Sequence, residues 1–272
     1  MATPIGNLRD ISLRALDVLG SVDAVAAEDT RVTARLLAHY GVSRRLIAVH
    51  EHNERRAARE VLALLAAGRS VALVCDAGTP AVSDPGALLV AQARAAGHAV
   101  VPVPGANAAL AALSVSGLPA PHFLFYGFLP ARGAARRREL ERLAALPCPI
   151  VFYEAPHRIL ECAADLAAVL GAARRVAIAR ELTKRFETVH LCALGEACEW
   201  LRADAHRVRG EFVLIVEGAA EAPARGAEAG RVLEALLAAL PLKQAVALAA
   251  RITGARRNEL YRLALSLKKR ES

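Results

Sequence analysis

Short apolar runs alternate with longer segments of helical period along most of this chain, and that alternation constrains the fold more than any single residue. The runs occupy 22–27, 46–50, 71–75, 99–103, 123–125, 150–153, 176–179 and 212–216. Each has the length and continuous apolar character of a buried strand. Between many of them lie helical stretches, at 33–40, 54–67, 86–96 and 157–170, and each is followed by a glycine: Gly41, Gly68, Gly97 and Gly171. Strand, helix, strand, helix predicts an α/β protein with largely parallel sheets. An antiparallel strand is expected at 188–191.

Punctuation divides the pattern. GLPAPHF (117–123) packs two prolines and a glycine into seven residues and is read as a boundary. Two α/β domains are therefore expected, at 1–117 and 118–218, followed by a Pro/Gly-rich linker at 219–230 and helices alone at 231–272. The 272 residues suit that division.

Composition narrows the class. Hydrophobic residues make up 55%, but alanine inflates the figure, and no apolar stretch approaches the roughly 18–20 residues of a membrane span. No membrane association is expected. The first residues, MATPIGN, lack the basic and apolar regions of an ordinary signal peptide. Five scattered cysteines without a CxxC predict free thiols and no zinc site. Together these point to a cytoplasmic location. A net charge of +8 favours polyanionic partners, though many cytosolic proteins are basic.

In open parallel sheets, ligands bind beyond the carboxyl ends of strands. There the sequence places Glu28-Asp29-Thr30-Arg31, DAGTP (76–80) with SDPG (83–86), Pro104-Gly105-Ala106-Asn107, Glu154-Ala155-Pro156-His157-Arg158 and ARELTK (179–184). Asp84-Pro85-Gly86 reads as a helix start with an acid at the cap. Asp76 through Pro80, with Ser83 close behind, is too rich in Gly and Pro for an ordinary turn and suggests close backbone approach to a ligand. Asn107 and Ala108 open a small-residue helix whose free N–H groups suit a polar ligand. Glu154 and His157 are placed for proton work, with a helix-capping Glu and a structural Arg158 as the plainer alternative. His50-Glu51-His52-Asn53 lacks a third metal ligand, so a substrate-touching loop is favoured at His52 and Asn53 and no metal is expected. No dinucleotide, P-loop or nucleophile-elbow motif is present.

The C-terminal stretch offers two helices around Gly254, a helix-turn-helix-like pair decorated by Lys243, Arg251, Arg256, Arg257, Arg262, Lys268, Lys269 and Arg270. A second basic run, 132–142, lies on a predicted helix and includes Arg136 and Arg137. Both suit phosphate contacts. A basic capping bundle or a dimer contact is the plainer alternative for the C-terminal pair.

The ordered set ATPIGN (2–7), AAEDTR (26–31), HEHNE (50–54), DAGTPAVSDPG (76–86), FYEAPHR (152–158), ARELTK (179–184) and GEFVLIVEG (210–218) resembles the small-subunit ribosomal RNA methyltransferases of the tetrapyrrole methylase superfamily, nearly end to end. The resemblance implies two α/β domains of tetrapyrrole-methylase type with S-adenosylmethionine in the cleft between them. It implies 2′-O-methylation of a cytidine ribose in 16S rRNA of the small ribosomal subunit, near the decoding centre, by a homodimer. It puts the loop of Thr3, Pro4 and Gly6 beside the cofactor and Ala77, Gly78 and Thr79 at its methionine end, with Asn107, Ala108 and Glu154 near it. Glu28, Asp29, Glu154 and His157 are candidate proton acceptors; Arg31, Arg158 and Lys184 are candidate positioning cations. Two departures from the family pattern are expected to matter: the apolar strand that ordinarily precedes ATPIGN is missing, and Leu191 stands where glycine is common. The rival readings are a small-molecule methylase on the same fold and a non-catalytic RNA-binding protein.

Overall fold

A computed structural model describes residues 1–50, 52–219 and 224–268, with the side chains of 224–228 and 268 outside the description. The chain divides into two units, Met1–Gly218 and Ala219–Ser272.

The first unit holds two sheets. β1 (Ala24–Ala27) lies between β2 (Arg45–Ala48) and β3 (Val71–Val74), all parallel. All four β1 residues are buried, which explains their continuous apolar character. α3 (Glu54–Ala66) and α4 (Ala87–Ala95) cover one face through Ala57, Val61 and Leu89. On the other face Leu19 of α1 (Leu13–Ser21) and Leu37 of α2 (Thr30–His39) pack against Val25, Ala27 and Val74. α1 has no counterpart in the sequence reading, although Ser12 caps it by accepting the Ala15 N–H.

The second sheet runs β4-β5-β8-β6-β7, with β4 Leu124–Phe128, β5 Ile150–Glu154, β6 Arg175–Arg180, β7 Thr188–Ala193 and β8 Phe212–Val216. Only β4 and β5 pair in parallel; β5–β8, β6–β8 and β6–β7 are antiparallel. The expectation of largely parallel sheets holds for the first sheet and fails for this one. The reason is connectivity: β6 reaches its neighbour β7 by a short link, and a link that short reverses direction. α6 (Gly133–Leu143), α7 (Ile159–Leu170) and α8 (Leu194–Arg202) cover one face through Leu140, Leu166 and Leu201. On the other, Ala109 and Ala112 of α5 (Ala108–Val115) meet Val151, Ala177 and Ile215. α5 thus packs on the second sheet, although its sequence lies before the boundary expected at 117.

One expected strand is not formed. Residues 99–103 belong to no ladder, and Val101 is 65% exposed. A ladder needs a neighbour along its whole length. Beside β3 the Met1 amino group donates to the Leu73 carbonyl and the Ala2 N–H to that of Val103, single bonds in place of a ladder.

The second unit is helical. α9 (Ala224–Leu237), α10 (Leu242–Thr253) and α11 (Arg257–Lys268) bury Leu233, Val246 and Leu260 together, and Gly254 ends α10 at φ +67°, a left-handed value that glycine tolerates. α9 begins inside the stretch expected to be a linker, and Ala229 of that stretch packs in this core. No helix among the described residues is long and apolar enough to cross a membrane.

Candidate functional site

Between the two sheets lies a cavity of about 430 Å³. The first sheet delivers Glu28 from the end of β1 and Asp76, Ala77, Gly78 and Thr79 from the end of β3. Val82, Ser83 and Asp84 follow on the same loop, and the second sheet contributes Tyr153, Glu154, Ala155 and Pro156 from the end of β5. Asn107 and Ala108 enter from the start of α5, where the Asn107 carboxamide oxygen accepts the Leu110 N–H. Of the expected residues, Glu28, Asp76, Ala77, Gly78, Thr79, Ser83, Asn107, Ala108 and Glu154 all line this space.

Backbone conformation shapes the β3 loop. Gly78 has φ +83°, and its strand-like bridge to Thr3 is closed by two N–H to O hydrogen bonds. Ala81 (φ 63°) and Ser83 (φ 65°) also occupy the left-handed region, which costs a non-glycine residue energy and recurs at functional loops. The expected cap at Asp84 is not observed. Glu54 of α3 caps α4 instead, its Oε1 accepting the N–H groups of Gly86, Leu88 and Leu89. Released from capping, Asp84 turns to the cavity wall.

The cavity is acidic inside a basic chain. Burial raises the Glu28 carboxyl above its ordinary value, and the charges of Asp76, Asp84 and Asp29 add to the rise, against one hydrogen bond from the Asp76 N–H. Burial likewise raises Asp84, helped by Asp76. The phenol of Tyr153 is raised by burial and by Asp84, while its hydroxyl accepts the Ala109 N–H. Glu28 and Asp84, with Asp76 beside them, make the cavity attractive to a cation.

Several expected residues stand outside the cavity lining. The Thr3 hydroxyl donates to the Cys75 carbonyl and is buried behind the lining; Ile5, between Pro4 and Gly6, is the member of that loop that reaches the cavity. Gly6 instead packs on Lys184, whose Cγ a Cβ would meet at 2.5 Å. Lys184 Nζ lies 2.8 Å from both Glu181 and Glu211, so it ties two loops together. Asp29 caps α2 and pairs with Arg31, a contact that holds its carboxyl well below the usual range. His157 is exposed beyond Pro156. Arg158 pairs with Glu154 and donates to the Leu129 carbonyl. Asn53 holds its own loop, its side chain bonding the His50 N–H and the Ala48 carbonyl, while His52 is exposed.

Arg136 is a correction. It was expected to meet phosphates, but only 2% of it is exposed, and its Nε donates to Asp165 at 2.6 Å. α6 turns this arginine inward, and the exposed cations of that run include Arg132, Arg137 and Arg138. In the second unit Lys243, Arg256 and Arg257 are exposed; the Lys268 side chain, Lys269 and Arg270 lie outside the described residues. Leu191 sits on β7 and does not line the cavity. Among the described residues no group of His, Cys, Asp or Glu is arranged to hold a metal ion.

The lining also holds Ile5, Phe128, Tyr153, Leu182, Glu211, Phe212 and Val213, which the sequence reading did not single out. Glu211 was hidden because β8 runs antiparallel. Its beginning, not its end, lies beside Glu154, where Phe212 is the pairing partner.

The geometry is matched by comparison with known proteins. The family model "Tetrapyrrole (Corrin/Porphyrin) Methylases" matches residues 2–198, and "RsmI C-terminal HTH domain" matches residues 223–268. The chain is 54% identical to ribosomal RNA small subunit methyltransferase I of Pseudomonas aeruginosa, over 97% of this chain and 95% of that one. It is 52% identical to the protein of the same name from Escherichia coli O157:H7, over 97% and 92%. Among solved structures it is similar in fold to a uroporphyrin-III C-methyl transferase from Thermus thermophilus complexed with S-adenyl homocysteine. That match has a TM-score of 0.53 and 20% identity, over 78% of this chain and 93% of that one.

Proposed function

This chain belongs to the tetrapyrrole methylase family, and within it to the ribosomal RNA small subunit methyltransferases, and on that premise we propose that it methylates the 2′ oxygen of a cytidine ribose in 16S rRNA near the decoding centre. The enzyme is a methyltransferase that uses S-adenosylmethionine. The substrate of this reading is the small ribosomal subunit, and the acting form is a homodimer.

The observation that carries the reading is an acidic cavity in a chain of net charge +8. A polyanion does not enter a space lined by Glu28, Asp76 and Asp84; a small cation does. S-adenosylmethionine, when bound, supplies a methyl group activated by a sulfonium charge. Ala77, Gly78, Thr79, Asn107 and Ala108 are the small and polar residues that would hold it. The loop from Val82 to Asp84 would limit water.

The chain's own chemistry is then positioning and proton removal. In-line displacement gains most from alignment. A ribose hydroxyl is a weak nucleophile and benefits from a base. Of the four candidate acceptors, Glu28 fits best. It lines the cavity, and one of its oxygens takes a single weak backbone bond at 3.3 Å. Asp29 and Glu154 are committed to arginines, and His157 faces solvent. The helical second unit, with exposed Lys243, Arg256 and Arg257, supports an RNA substrate over a small molecule.

The test is to incubate the protein with tritiated S-adenosylmethionine and small subunits from cells lacking the gene, then map the label. Alkali-resistant label at one 16S rRNA ribose, lost in a folded Glu28→Gln variant, is expected. Cofactor binding without RNA labelling would count for a small-molecule methylase, and absence of cofactor binding for a non-catalytic protein.

A further inference from the structure

β4 carries one irregularity, and it sits at the cavity mouth. Its pairing with β5 runs from Leu124 opposite Ile150 to Phe125 opposite Val151. It then slips by one residue, so that Gly127 faces Phe152 and Phe128 faces Tyr153. In a regular strand, residues 125 and 128 point to opposite faces. The extra residue, Tyr126, reverses that parity. Tyr126 goes to the helix-covered face beside Phe152, ring centroids 5.6 Å apart. Phe125 and Phe128 both come to the cavity face and meet Tyr153 edge-on, at 5.1 and 5.6 Å. Gly127 makes this possible at φ +82°, where a Cβ would lie 2.8 Å from the Ser83 hydroxyl.

The bulge therefore brings an aromatic ring to the cavity rim and leaves it in solvent. Phe128 lines the cavity yet is 54% exposed. Its mount is rigid, because Tyr153 is pinned by Phe125 on one side and by the Ala109 N–H at its hydroxyl. Four and ten residues beyond Phe128 stand the exposed cations Arg132 and Arg138, with Arg137 between them paired to Asp165.

We propose that Phe128 is the stacking platform for the unstacked base of the target nucleotide, an inference that rests on the RNA methyltransferase reading above. A ribose hydroxyl held in folded RNA enters a recessed cavity most readily when its nucleotide swings out of the stack. The freed base then needs a π-face, and single-stranded RNA is commonly held by an aromatic ring next to cations that track its phosphates. Phe128 supplies the ring, and the arginines of the following loop and of α6 supply the cations.

Three variants of the full chain test this: Phe128→Ala, Phe128→Leu and Phe128→Trp. The readouts are kcat/KM for unmethylated small subunits, affinity for S-adenosylhomocysteine by calorimetry, and the circular dichroism spectrum. The Ala and Leu variants are expected to lose about 5- to 150-fold in kcat/KM, with Trp close to the parent and S-adenosylhomocysteine affinity unchanged in all three. Parental kcat/KM in Phe128→Ala overturns the proposal. So does recovery in Phe128→Leu, which marks plain apolar packing, and so does a loss that tracks weakened S-adenosylhomocysteine binding, which marks a cofactor contact. If the parent protein itself labels no RNA, the underlying reading fails and takes this one with it; stacking alone fails only against a parent that labels.

Discussion

The carboxylate of Glu154 lies 3.1 Å from Nε of Arg158, one turn further along, and its side chain is wholly buried. Arg158 also donates to the Leu129 carbonyl, so one guanidinium joins the end of β5 to the loop after Phe128. Replacing Arg158 with Leu leaves Glu154 buried without its cation, with the Ala155 N–H and the Cys162 thiol as its neutral partners. Removing one member of a buried pair costs about 3–5 kcal/mol. The urea-unfolding free energy of Arg158→Leu is expected to fall by that amount. A loss below about 1 kcal/mol would show that the pair is solvated in solution.

The cavity acids predict an unusual pH response. Burial raises Glu28 and Asp84 above their unfolded values, and the charge of Asp76 adds to both. A raised carboxyl stabilises the folded chain below its unfolded pKa and loses that contribution as pH rises through the folded value. At neutral pH the unfolded chain holds both carboxyls ionised more readily than the folded one does, and that difference opposes folding. The double variant Glu28→Gln/Asp84→Asn is therefore expected to be more stable than the parent at pH 7, by under about 1 kcal/mol since both groups keep solvent contact. The gain should vanish below about pH 4. Thermal melts across pH 3–8 measure it, and a variant less stable at pH 7 would contradict the sign. The same substitutions should abolish methylation, so stability and activity move in opposite directions.

Gly127 links the bulge to the loop at Ser83. Alanine there meets a left-handed backbone, worth about 1–2 kcal/mol, and places its Cβ 2.8 Å from Ser83 Oγ. Gly127→Ala is expected to lose at least that much stability by urea titration and to lower RNA labelling by displacing Phe128. Unchanged stability and labelling would mean that the bulge relaxes freely.

Much of this was legible in the sequence because the first sheet obeys a simple rule. Its strands are parallel and helices cover both of its faces, so apolar runs mark them and the ligand loops follow their ends, as at Glu28 and Asp76. The second sheet breaks the rule. β8 enters antiparallel, so Glu211 contributes from a strand's beginning, where no reading of strand ends looks. Phe128 was hidden for a different reason: a bulge changes which face a side chain takes, and period-two patterning carries no trace of it. Arg136 misled because charge alone does not tell an inward helix position from an outward one, and its partner Asp165 lies on another helix.

Arg136 and the pair Arg256 and Arg257 separate structural from phosphate-binding cations. Arg136 is buried against Asp165 of α7, while Arg256 and Arg257 are exposed beside Gly254. If the second unit holds RNA, each phosphate contact contributes about 0.7–0.9 to the slope of log affinity against log salt. Arg256→Ala/Arg257→Ala should therefore weaken small-subunit binding and flatten that slope by up to about 1.8, with unfolding unchanged. Arg136→Ala should do the reverse, because it strips a buried partner from Asp165. Its unfolding free energy is expected to drop by about 3 kcal/mol or more with the salt slope intact. Binding titrations between 50 and 200 mM salt, on the order used to resolve such slopes, read both variants in one series. A flattened slope in Arg136→Ala would return that residue to the RNA surface, and an unchanged slope in the double variant would make the second unit a structural appendage rather than an RNA-binding one.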